Sequence, residues 1–599
     1  MYWGVGLYAD KNPKNKLKLN YQFLQANNIQ KDDIPKLCED FVNWITNINY
    51  EDAYSSLLFL LGTDMTKEDI EQFLKQSSNW WIKTLMIDHS FIKSKYIKQK
   101  IYKLAKVRLE NGYVGSIFVE GNNQTLISDP YGFCQYICGQ EVTGLIDKDR
   151  YYINYWNQKG VDKVIGMRPP LTSRAEVLPM QLSNTEEQQY WFRYITNGII
   201  VNIHGAEVDY WAGADFDKDF LSTTSNEILV KSPYKNEYPV CYEAPKPDKF
   251  VFSEEDLFVS DKFAFGSIIG SITNKSTSGH ALLPYIENKY GKNSDHYKIL
   301  ENRVKMTCKL QNAQIDKAKL GRDVKEIPKI WVDRKFIIEK YGEDTFESNM
   351  YQEILLDRHP YFFIHLYPQT KAKYKKHVKE YEGTCYNRFG MGIFELESLK
   401  NKTDEQKQYL ELFHKYMPVI YNNSVMNNLS RYLEGVGSQI KMYIRSDNCD
   451  ERVEVMLSGN PIDEELYERL KSEYKDFLSR LKGDKELKRS KTFALGKKNK
   501  FDIAVEYGKF RNKIKDFGDQ RDIKDCLIKI FYEDVKSSNK DLLWETYGEE
   551  IFNEVSSKNC NKIYFPIKDY EGELKYEEDT FRLEEVDICS MMKLNTGKE

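Results

Sequence analysis

The sequence predicts an α+β protein in which helical regions flank a β domain. Three observations carry that expectation. Apolar residues recur at three- and four-residue steps through the first hundred positions. Short β-rich runs, broken by Gly, Asn and Asp-Pro, begin near residue 110. Helical texture returns near residue 280 and continues through the rest of the chain. In order, the expected parts are a helical N-terminal region at 1–108, a β domain at 109–275, a helical segment at 276–330 and a mainly helical region at 331–599.

In the first part, "DIPKLCEDFVNWI" and "KEDIEQFLKQSSNWWIKTLM" carry the helical spacing. A basic helix follows, "FIKSKYIKQKIYKLAKVRL", in which Lys93, Lys95, Lys98, Lys100, Lys103 and Lys106 alternate with Ile, Tyr and Leu. Two readings stand for it: a solvated basic face, or a face that contacts phosphates. The β domain is read from "GYVGSIFVEG", "QTLISDPYGF", "ITNGIIVNIHGAEVDYWAGADF" and "DKFAFGSIIGSITNKS". The next helix, "LENRVKMTCKLQNAQIDKAKLG", is expected to stop at Gly321. Two further basic patches lie at 371–383 and 481–500. Each is either a solvated surface or a phosphate contact.

A chain of 599 residues exceeds a single core, so two to four domains are expected. Hydrophobic residues at 41% and charged residues at 30% fit a globular protein. A net charge of -4 gives no global field for nucleic acid, so any basic surface must be local. The ten cysteines are scattered. Cys134 and Cys138 form the only close pair, and no CxxC pair occurs, which argues against structural zinc and for reduced thiols in the cytoplasm. The start, "MYWGVGLYADKNPK", lacks the basic and apolar regions of a signal peptide. The longest apolar stretch, "SSLLFLLG", is too short to span a bilayer.

The segment "WAGADFDKDFLSTTSNE" holds Asp215, Asp217 and Asp219 at alternate positions. On a helix these side chains would point about 200° apart. On a flat strand they would lie about 6–7 Å apart on one face. A tight loop after a strand brings all three to one point, where each carboxylate raises the others' pKa unless a cation neutralises them. Hard oxygen donors select Mg²⁺ or Ca²⁺. An EF-hand beginning at Asp215 would need Gly at its sixth position and Glu at its twelfth; here these are Phe220 and Asn226. A solvated acidic turn is the plain alternative. The surrounding Tyr210, Trp211, Phe216, Phe220 and Leu221 argue against it.

With these residues in view, "GADFDKD" resembles the NADFDGD metal loop of the largest subunit of multisubunit RNA polymerases. It also resembles the corresponding loops of eukaryotic RNA-dependent RNA polymerases and of phage-encoded, crAss-like RNA polymerases. "GMRPPLTSRAEV" (166–177) resembles the R-x-P segment upstream of that loop. "LNYQFLQANNI" (19–29) looks like the helix ahead of the catalytic barrel. "IGSITNKSTSGH" and "QIDKAKLG" look like post-barrel segments, and "NKDLLWETYGEEI" (539–551) resembles the C-terminal portion. The matches follow the family's order, and the phage branch looks closest.

The resemblance implies a double-psi β-barrel at about 109–275 and a β′-like catalytic subunit of a two-barrel RNA polymerase. Asp215, Asp217 and Asp219 would hold the Mg²⁺ that activates the transcript's 3′ hydroxyl, and a second Mg²⁺ would arrive with the nucleoside triphosphate. Arg168 would contact the ribose of the incoming nucleotide. Lys317 and Lys319 would approach the template backbone, although helix-surface lysines explain them equally well. The partners implied are a DNA template, an RNA product, ribonucleoside triphosphates and a β-like barrel half, either a separate chain or a part of the polypeptide absent from this sequence, since about 110 mainly helical residues ahead of the β domain are too few for a second barrel. RNA-templated synthesis and a non-catalytic nucleic-acid-binding subunit are the alternatives. Two positions depart from the family pattern: Gly213 replaces its Asn, and Lys218 replaces its Gly between the second and third aspartates.

Overall fold

The computed structural model describes residues 13, 15–48, 50–212, 214–235, 237–240, 253–265, 268–320, 326–440, 450–495, 503–534, 539–576 and 579–588. The chain forms two compact units. One comprises Met1–Val42 and Leu109–Ser438, the other Asn43–Arg108 and Gln439–Glu599. The first hundred residues, expected as one helical region, are thus divided between the two. No helix among the described residues is long and apolar enough to cross a membrane.

The first unit is built on a closed barrel of six strands: β1 (Asn122–Ile127), β2 (Arg150–Tyr152), β3 (Lys163–Met167), β4 (Val177–Leu182), β5 (Ile199–Val201) and β6 (Phe220–Thr224). Around the barrel the order is β1-β5-β2-β4-β3-β6, and β6 closes onto β1. The pairs β1–β5 and β2–β4 are parallel and the other four are antiparallel. Leu126, Tyr151, Val164, Met180, Ile199 and Leu221 fill the interior together with Trp156 and Trp211, both fully buried. Polar groups that enter this core are mostly paired, with Asn122 Nδ2 and Gln124 Oε1 on β1 the exceptions among those described. Thr223 accepts from the Trp156 indole at 2.9 Å and donates to the Asn122 side chain at 2.9 Å.

The barrel strands end at Thr224. The run at 261–276, expected as β, is instead helical on both sides of residues 266–267, which lie outside the described residues: Glu254–Phe265 is one helix, and α1 (Ile269–Tyr290) begins a hairpin with α2 (Asp295–Leu320). The hydroxyls explain the difference. Thr273 donates to the Ile269 carbonyl at 2.9 Å, Thr277 to that of Thr273 at 2.9 Å, and Ser278 to that of Asn274 at 2.9 Å. Such bonds to the preceding turn let Ser and Thr sit inside a helix. Gly279 adds a packing reason, because a Cβ there would stand 2.5 Å from Val304 of α2. The expected stop at Gly321 lies outside the described residues.

The second unit is helical, with one sheet formed by β7 (Lys562–Lys568), β8 (Leu574–Tyr576) and β9 (Asp579–Asp587) in the order β7-β9-β8. The basic helix Lys95–Gly112, which belongs to this unit as far as Arg108, does not present all its lysines to solvent. Lys98 is buried and pairs with Glu51 at 2.5 Å, and Lys100 pairs with Asp541 at 2.7 Å. Of the other basic patches, 371–383 lies on the helix Pro368–Phe389 of the first unit. At 481–500, the side chains from 482 onward lie outside the described residues.

The interior of the second unit holds a charge cluster. Lys524 is fully buried and lies 3.0 Å from Asp525 and 3.2 Å from Glu554, with its ammonium also donating to the Met456 carbonyl at 3.1 Å. Removing the cation leaves buried Asp525 held, among the described residues, by Ser458 alone, while Glu554 keeps Arg521 at 3.4 Å and Lys558 at 3.7 Å. Lys524→Met is therefore expected to lower the stability of this unit by about 3–5 kcal/mol, read from the urea midpoint of its unfolding transition.

Candidate metal centre

The loop from β5 to β6 carries the three aspartates. Its entry is fixed by Trp211, whose ring is buried in the barrel beside Gly166, where a Cβ would meet Met180 at 2.8 Å. The Ala214 amide then donates to the Trp211 carbonyl at 2.8 Å, and Ala214 packs on the barrel core. The exit is fixed by β1, whose Leu126 amide donates to the Asp219 carbonyl at 2.7 Å.

Between these anchors the loop folds on itself. The Asp217 amide donates to Asp215 Oδ1 at 3.2 Å, and the Asp215 amide to Asp219 Oδ2 at 3.1 Å. One oxygen from each of Asp215, Asp217 and Asp219 lies within 4.8 Å of the others. Asp215 and Asp217 are exposed and Asp219 is half-buried. Three convergent hard oxygens open to water fit a Mg²⁺ that keeps part of its hydration shell. The flanking aromatics divide: Trp211 and Leu221 are buried, whereas Phe216 and Phe220 are 49% and 46% exposed. The acidic loop is thus more exposed than the aromatic flanks suggested.

Arg168 stands at the end of β3, which pairs with β6 through Met167 and Ser222. That register brings the guanidinium to the loop. Nε and one terminal nitrogen reach Asp219 Oδ2 at 3.0 and 2.9 Å, and the other terminal nitrogen donates to the Ala212 carbonyl at 3.0 Å. Arg168 therefore grips both the third aspartate and the start of the loop. Lys218 takes φ = +99°, the backbone region where the family pattern has glycine. Lys317 is buried near the end of α2. The side chain of Lys319, and Gly213 altogether, lie outside the described residues.

Glu176 was not singled out from the sequence, although the Ser173…Glu176 spacing is that of a capping box, which the structure forms. Its buried carboxylate accepts from the Thr172 hydroxyl at 2.6 Å and from the Thr172 and Ser173 amides at 3.0 and 2.6 Å, bracing the turn after Arg168. Burial pushes its pKa up to about 7, against the pull of those hydrogen bonds and of the Arg168 charge. The folded form thus holds its proton more tightly than the unfolded chain. The resulting stability is full below about pH 4.5 and is lost as pH rises through 7. Glu176→Gln is expected to abolish this part of the slope, so that the wild-type-minus-variant stability falls by about 3 kcal/mol between pH 4.5 and 8 in urea titrations.

A groove of about 500 Å³ opens beside β6, bounded by Asn123, Pro169, Phe220 and Ser222 and by Lys16 and Lys18.

No family model matches the chain, and no curated protein matches it. Among solved structures, the chain is similar to the RNA-dependent RNA polymerase QDE-1 from Thielavia terrestris, with a TM-score of 0.42 and 10% identity over 91% of this chain. The chain spans 57% of the length of that polymerase chain.

Proposed function

We propose that the chain carries the metal-holding barrel of a two-barrel nucleotidyltransferase that synthesises RNA, the barrel being of the double-psi type. The observation that carries this reading is the convergence of Asp215, Asp217 and Asp219 on one loop at the mouth of a closed six-stranded barrel. The resemblance of that loop and of the segments around it supplies the reaction class. Asp215 and Asp217 offer exposed carboxylate oxygens, and Asp219 offers one while Arg168 balances its charge. When bound, Mg²⁺ would offset the negative charge that develops on the attacking and leaving oxygens of phosphoryl transfer. The groove beside β6, with Lys16 and Lys18 on its wall, is the place we assign to the nucleic-acid strand. A DNA template is our reading, from the resemblance to the phage branch, and a β-like partner chain would supply the second barrel.

The test is extension of a labelled RNA primer annealed to DNA and, separately, to RNA, with Mg²⁺ and four ribonucleotides, with and without co-purified neighbours of the chain. Extension on one template names it. No extension with the partner bound would leave a nucleic-acid-binding subunit without chemistry.

Lys218 separates these outcomes. A side chain held at φ = +99° costs of the order of 1–3 kcal/mol, and glycine relieves it at a smaller entropic cost. Lys218→Gly is expected to stabilise the first unit by about 1 kcal/mol, seen as a higher urea midpoint. The same variant is expected to retain or raise extension activity, since it restores the family's residue.

A further inference from the structure

A large cleft lies away from the barrel. It encloses about 1140 Å³ in the first unit, walled by α1 and by the helices Phe346–Glu353 and Asp404–Lys415. No residue of the barrel strands or of the aspartate loop lines it. Seven lysines and arginines face three glutamates there. Two of the glutamates are already engaged: Glu353 by Lys289 at 2.6 Å and Tyr290 at 2.6 Å, and Glu397 by His414 at 3.0 Å.

The guanidiniums are not neutralised in the same way. Among the described residues, Arg334, Arg358 and Arg431 form no ion pair. Arg334 donates to the Gln352 side chain at 2.9 Å and Arg358 to the Met417 carbonyl at 3.4 Å. Arg431 donates to the Tyr421 carbonyl and stacks over the Tyr421 ring at 4.2 Å. The Nε atoms of both Arg358 and Arg431 are buried with no hydrogen-bond partner. Burial depresses the Arg358 pKa, and the neighbouring Arg334 charge acts in the same direction while Asp357 opposes it. Gathering like charges and leaving buried donors unmet is unfavourable unless an anion completes the site. Guanidinium forks match phosphate oxygens, and the size suits a small ligand.

We propose that this cleft is a second binding site, separate from the aspartate loop, for a small ligand bearing two or more phosphate groups. Free nucleotides and inorganic polyphosphate share that chemistry.

The test is equilibrium binding of tripolyphosphate and, separately, ATP to the full chain in excess EDTA, which silences the aspartate loop. Arg334 and Lys415 are exposed, so Arg334→Gln with Lys415→Gln tests the cleft without disturbing its core. Saturable binding is expected, at least tenfold weaker in that double variant and changed less than twofold by Asp217→Asn. Lys402→Gln, from a third position on the wall, should weaken it in the same direction. Tripolyphosphate binding as tightly as ATP assigns the site to phosphates alone, and binding by ATP only assigns it to nucleotides. Absence of saturable binding, binding indifferent to the cleft variants, or binding of single-stranded RNA but neither small probe would overturn the proposal.

Discussion

Asp217→Asn is expected to remove Mg²⁺-dependent primer extension while leaving the fold intact. The residue is exposed at the tip of the loop, and the substitution keeps its shape while deleting one of three converging charges. Changes one shell out from a metal commonly cost 10–100-fold, so loss of a ligand should cost more than about 100-fold. Removing one of three like charges relieves repulsion in the metal-free protein, so the melting temperature should stay level or rise. The measurements are extension rate against Mg²⁺ concentration and a thermal melt in EDTA. Unchanged extension would remove the triplet from the chemistry. Lost extension with a lowered melting temperature would instead show the loop to be structural.

The parts of this molecule that were legible in the sequence are those fixed locally. Alternate aspartates read as a tight loop after a strand, and the structure carries them in the loop that follows β5; the strand β6 that comes next is not read from "FLSTT". The β texture from residue 110 reads as a β domain, and the barrel strands begin at Asn122. What stayed hidden depends on contacts distant in sequence. Arg168 and Asp219 are 51 residues apart, and only the β3–β6 register makes them neighbours. Lys100 reads as a free cation because Asp541 lies more than 400 positions away. The start of α1, from Ile269, reads as β because Ser, Thr, Ile and Gly are poorer helix formers than Ala or Leu by propensity. Hydroxyl bonds to the preceding turn and close packing against α2 override that preference.

Arg168→Gln is the second decisive substitution, because it separates a brace from a substrate contact. In this structure the guanidinium spans Asp219 and the Ala212 carbonyl, tying together the two ends of the aspartate loop. Glutamine cannot supply the charge or the fork. Asp219 then loses the partner that orients it, and Mg²⁺ affinity should fall by about 10–100-fold, as for other groups that hold a metal ligand in place. Extension should fall with it at low Mg²⁺ and recover substantially at high Mg²⁺, with the nucleotide KM nearly unchanged. Arg168→Lys keeps the charge but offers one compact donor group in place of a planar fork, so it should rescue only part of the affinity. A ribose contact, the role implied by the R-x-P resemblance, makes the opposite prediction. It would raise the ribonucleotide KM at saturating Mg²⁺ and weaken discrimination against 2′-deoxynucleotides, with metal dependence unaltered. The geometry favours the brace: Arg168 spends its three bonds on the loop itself, and a ribose would have to displace at least one of them.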